Sequence, residues 1–103
     1  MICYTIFSIY FYFHLFIIFV GEALVELGWW IRNDTLALGY DTTLLAGYSN
    51  AHMGYFATPD EYDIGGYESQ LTLWGIDTAE MVREGCAAAA KAVVPSTKKV
   101  TFN

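Results

Sequence analysis

The first twenty residues, MICYTIFSIYFYFHLFIIFV, contain no Lys, Arg, Asp or Glu. No other feature narrows the chain's choices as far, because an uncharged apolar run of this length must leave water. It meets the length requirement of a membrane-spanning helix. It also lacks a basic leader and a small-residue cleavage site, and its Ile, Phe and Tyr suit strands at least as well as helices. Transmembrane and water-soluble readings both stand on composition, as does a third in which Met1 is a wrongly assigned start on a partial gene.

Within that run, Leu15 to Val20 is continuously apolar and rich in β-branched and aromatic residues, the pattern of a strand buried on both faces. It stops at Gly21-Glu22. Leu24, Leu27 and Ile31 then recur at helical spacing, with Glu26 and Arg32 free to face solvent, which predicts a helix from about Ala23 to Arg32 whose Trp29 and Trp30 cover a core. NDTLALGYD reads as a turn and TTLLAGYS as a second short strand. Two strands joined by a short crossover helix are expected to be neighbours, which sets Leu15–Val20 beside Thr43–Ala46. GIDTAEMVREGCAAAAKAVV reads as a second helix, capped by Asp77 or Thr78 with Glu80 closing a capping box and Pro95 marking its stop. The tail STKKVTFN is a final strand or a frayed end. The expected fold is therefore α/β, a fragment of a mixed sheet with flanking helices: strand-helix-strand, a long aromatic loop, and a C-terminal helix. A chain of 103 residues buries roughly 60 to 65% of its unfolded surface, so its core is thin.

Charge and cysteine usage exclude some functions. The formal net charge is -6, and seven acids between Thr58 and Glu84 face Arg83 alone, which argues against a nucleic-acid partner. Cys3 and Cys86 lie far apart without CxxC spacing and indicate neither a thiolate metal site nor a disulfide framework. His14 and His52 show no HxH or HExxH spacing and read as structural. The stretch from Ala46 to Glu68 holds four tyrosines, one histidine and four acids, too many aromatics for an ordinary polar connection. A phenol can donate to a developing oxyanion or bind a metal through oxygen, and it can equally serve as an amphipathic wall. Glu22, which ends an apolar strand and opens a helix, fits a crevice carboxylate and also simple helix N-terminal stabilisation. Spacing alone leaves these readings open.

The ordered series Gly21-Glu22, Gly47 to Asn50, Gly54-Tyr55, Thr58 to Tyr62, Tyr67-Glu68 and Trp74 to Thr78 resembles the C-terminal part of the catalytic domain of the neutral (alkaline, non-lysosomal) ceramidase family. The resemblance runs from Val20 to Val93. It divides the chain into an unmatched apolar segment (residues 1–14), a partial ceramidase-like catalytic domain (15–94) and a tail (95–103). It implies a zinc amidohydrolase acting on ceramide, a sphingolipid, with the ion held by two histidines, a glutamate and a tyrosine and with a metal-bound water attacking the amide. Carried over by motif, Glu22 and Tyr55 are the glutamate and tyrosine metal ligands, and Tyr67 is the catalytic phenol that donates to the oxyanion. The family's histidine ligands, serine and arginine lie in upstream sequence absent from this chain, and neither His14 nor His52 matches them. Val20 stands where family members often have Pro. The resemblance also implies a secreted or membrane-associated location and a missing upstream half of the domain as partner. The rival reading is a small membrane-anchored protein whose aromatic segment is an interaction surface.

Overall fold

The computed structural model describes residues 7–11, 14–49 and 53–99. In chain order the elements are β1 (Phe7–Phe11), β2 (His14–Ile18), β3 (Glu22–Ala23), α1 (Val25–Ala37), β4 (Thr42–Ala46), β5 (Tyr55–Phe56), α2 (Pro59–Ile64), α3 (Tyr67–Gln70) and α4 (Thr78–Lys99). They build a mixed α/β unit. One sheet has the order β1-β2-β4: β1 runs antiparallel to β2, and β2 parallel to β4 with Leu15 opposite Thr43 and Ile18 opposite Ala46. The expected adjacency of the two strands flanking α1 is thus present. β1 was not anticipated, because an unbroken apolar stretch carries no period-2 signal that would mark where one strand ends and the next begins.

α1 and α4 pack on one side of this sheet. The core joins Leu15 and Ile17 of β2 to Leu27 and Ile31 of α1 and to Ala79, Val82, Cys86 and Ala90 of α4. On α1 the buried residues Leu27, Ile31 and Thr35 follow at intervals of four and form one seam. Each fully buried Leu or Ile contributes about 1.5–3 kcal/mol. Among the described residues no element covers the other side of the sheet: Thr42, Leu44 and Ala46 are exposed, and Phe16 and Ile18 are half-buried.

Several local expectations need correction. α1 continues past Arg32 to Ala37, because the residues that resemble a turn have tertiary partners. Asp34 accepts two hydrogen bonds from the Arg83 guanidinium, at 2.7 and 2.9 Å, and the buried Thr35 hydroxyl lies 2.6 Å from that of Thr43. Arg83 also sits over the Trp30 ring, 5.2 Å from its centroid. Trp30 packs against the core, whereas Trp29 is exposed. Glu26 does not stand free in solvent but accepts from the Thr58 hydroxyl. α4 continues through Pro95 to Lys99; a proline deletes one amide donor, and the alanine-rich turns before it propagate the helix. At its other end the Thr78 hydroxyl donates to the Gly75 carbonyl instead of capping.

The aromatic stretch is not a plain loop. Thr58 and Glu61 form a reciprocal capping box with Pro59 in the first turn, so TPDE nucleates α2, and α3 follows at Tyr67. Among the described residues, no helix is long and apolar enough to cross a membrane.

Cys86 is buried, and burial, with the charge of Asp34 adding to it, pushes its thiol up to about 12. The native protein is therefore expected to leave Cys86 unmodified by iodoacetamide at pH 8, with full labelling after denaturation, as read by peptide-resolved mass spectrometry. Labelling of Cys86 at equal rates in both states would contradict this packing.

Candidate active site

The chain changes partners just beyond the end of β2. Phe19 still bonds to β4, its amide donating to the Ala46 carbonyl at 3.0 Å. Three residues later Glu22 has left that sheet: its amide donates to Gly54 at 3.0 Å, and β3 pairs in parallel with β5 so that Glu22 faces Tyr55 in register. A crevice carboxylate requires this kind of junction, at the carboxyl ends of parallel strands.

Small residues make the junction possible. A Cβ on Gly21 would lie 2.3 Å from the ring tip of Phe56, and one on Gly47 would lie 2.7 Å from the Gly21 carbonyl oxygen. The turn after β4 is thereby drawn onto Gly21, whose carbonyl accepts from the Tyr48 amide at 3.1 Å. Tyr48 itself has φ 57°, left-handed backbone that a tyrosine rarely adopts. From there its hydroxyl donates to Oε2 of Glu22.

Tyr55 and Tyr67 complete the group. Their rings meet edge to face at 5.7 Å and 71°, with Tyr67 placed by the start of α3. The hydrogen bond to Glu22 is the largest of the effects that push the Tyr48 phenol up to about 12. Tyr55 is raised as well, first by burial and then by the Glu22 charge and by Tyr67. Both phenols are neutral donors beside this carboxylate at neutral pH. A cation placed among them reverses that sign and favours the phenolate. Beside Glu22 and Tyr48 a cavity of about 290 Å³ extends along α1, lined also by Phe19, Val25, Trp29 and Gly47. Tyr55 and Tyr67 stand outside its lining.

The structure therefore brings Glu22 and Tyr55 together as facing strand residues, with Tyr67 packed on Tyr55. Tyr62 belongs to α2 and His14 to the amino end of β2, at the far end of that strand from Glu22; His52 lies outside the described residues. Sequence reasoning gave Tyr48 no role, although a Gly-Tyr pair directly after a parallel strand was the available signal. The donors present are a carboxylate and phenols, which suit zinc or a harder ion. Among the described residues no group of three or more His, Cys, Asp and Glu side chains could hold a metal. Donor type fits, and donor number falls short of a four-coordinate site.

No known family profile matches the sequence, and no curated protein does. Solved structures match the fold. The neutral ceramidase from Pseudomonas aeruginosa superposes with a TM-score of 0.80 at 23% identity, over 93% of this chain and 15% of that one. A ceramidase complexed with C2 does so with a TM-score of 0.78 at 23% identity over the same shares. The chain thus has the fold of one portion of a neutral ceramidase and spans about 15% of the length of these structures.

Proposed function

We propose that this chain is part of a neutral ceramidase-type zinc amidohydrolase, which cleaves the amide bond of ceramide to sphingosine and a fatty acid. The observation that carries the reading is the registered pairing of Glu22 with Tyr55 at the strand junction, in a fold shared with ceramidases. Glu22 and Tyr55 would hold zinc together with ligands from outside the described residues. When bound, zinc supplies Lewis-acid activation of water at neutral pH.

Tyr67, in edge contact with Tyr55, directs its hydroxyl at the carbonyl oxygen as water adds to the carbon and that oxygen gains charge. When the C–N bond breaks, the amine leaves with a proton given up by the water whose oxygen has bonded to the acyl carbon, and the acid is released as its carboxylate. The apolar wall of Phe19, Val25 and Trp29 beside Glu22 offers a surface for a hydrocarbon chain.

A chimera tests this directly. With this segment in place of its counterpart in the Pseudomonas aeruginosa enzyme, the expected result is chelator-sensitive hydrolysis of short-chain ceramide. The 103-residue chain alone is expected to show none above background, because two oxygen ligands compete poorly with water for the ion. A chimera that folds and binds zinc yet releases no sphingosine would overturn the reading, as would chelator-sensitive turnover by the isolated chain.

A further inference from the structure

We infer that Tyr48 is the positioning residue of Glu22: it is held in left-handed backbone so that its hydroxyl closes on the Glu22 carboxylate and keeps that carboxylate turned toward Tyr55. The inference rests on the reading of Glu22 as a working carboxylate and adds a residue to it.

Three observations converge. Tyr48 is the only non-glycine residue with positive φ among the described residues, and a side chain with a Cβ disfavours that conformation. Burial does not explain its presence, because Tyr48 is 51% exposed. Glycine or asparagine would satisfy the same turn with less strain. What only tyrosine adds is a hydroxyl that reaches Oε2 of Glu22.

The surrounding backbone explains how the strain is sustained. The Tyr48 amide is tied to the Gly21 carbonyl at 3.1 Å, and Ser49 donates to Phe19 at 3.1 Å. The turn is clamped on both sides of Tyr48, to the residue just before Glu22 and to the end of β2. Glu22 sits on a two-residue strand, is half-buried and is also hydrogen-bonded by Tyr55. Its side chain keeps several staggered rotamers within reach of that partner, and a second donor fixed to the same junction narrows them to one. Strain held at one residue and used to orient a neighbour is the pattern of a pre-organised site.

The test uses the 103-residue chain without metal, so its outcome is independent of whether Glu22 binds zinc. In the wild type, NMR cross-relaxation between the Glu22 γ-methylene and the Tyr55 ring is expected. Tyr48→Phe, which removes only the hydroxyl, is expected to abolish it while amide shifts away from the junction stay in place; Tyr67→Phe is expected to keep it. Tyr48→Gly is expected to lose the same contact yet raise the thermal midpoint by roughly 4 to 8 °C through release of left-handed strain. A residue retained for the fold would lower that midpoint. Glu22–Tyr55 contacts that survive in both Tyr48 variants, or a lower midpoint in Tyr48→Gly, would overturn the assignment. Failure of the zinc reading shows elsewhere, as unchanged metal content in a Glu22→Gln chimera.

Discussion

In an enzyme that carries this segment, Tyr67→Phe is expected to leave zinc bound and to slow ceramide hydrolysis on the order of 10² to 10³-fold, whereas Glu22→Gln is expected to lose the metal and the activity together. The two residues differ in what they offer. Glu22 presents an anionic carboxylate at the strand junction, and its amide isostere is a far weaker ligand. Tyr67 lies one ring further out, in edge contact with Tyr55, and in the proposed reaction its hydroxyl meets the carbonyl oxygen as charge develops. On that proposal, removing the donor raises the barrier without touching the ligand set. Metal content by atomic emission, measured beside kcat, separates the roles. Equal loss of zinc in both variants would show that the two roles are wrongly assigned.

The second large effect concerns the fold. Gly21→Ala is expected to lower the thermal midpoint of the chain by roughly 10 to 20 °C, from an overpacking cost of about 1–3 kcal/mol or somewhat more. The new methyl would stand 2.3 Å from the Phe56 ring. That ring is 1% exposed and packs against Phe19 at a centroid distance of 6.0 Å, so it has nowhere to swing. Gly28→Ala provides the contrast: the added methyl meets only Leu45, at an ordinary 3.6 Å, inside α1. There the gain in helix propensity, up to about 1 kcal/mol, is expected to raise the midpoint. Differential scanning calorimetry on the two variants reads both signs, and similar shifts in the two would refute the close approach at Gly21.

The contrast between these glycines also shows where the sequence was readable. β2, α1 and β4 were legible because each carries a run long enough to show its period, and a short crossover makes strand neighbours. Glu22 stood out as the first charge after an apolar run, but its position alone did not separate a crevice carboxylate from simple stabilisation of a helix N-terminus. The extension of α1 was not, since Asp34 and Thr35 prefer turns and stay helical only through Arg83 and Thr43, partners far away in sequence. β5 has two residues and α3 four, too few for any periodicity. TPDE did carry a helix-start signal, outweighed by the glycines and aromatics around it. Tyr48 was only partly legible: the Gly-Tyr pair after β4 marks a turn, but the left-handed conformation of the tyrosine is created by the clamp of two backbone segments distant in sequence.

The open side of the β1-β2-β4 sheet, with Leu44 46% exposed and Phe16, Ile18 and Ala46 on the same face, changes the meaning of any melting curve recorded on this chain. Parallel strands are ordinarily covered on both faces, and whatever binds the native face but not the unfolded chain adds RT ln(1 + [L]/Kd) to its stability. A midpoint measured for the chain in dilute buffer is then a reference value at zero occupancy, from which the same residues rise, by mass action, once a second apolar layer closes over the sheet.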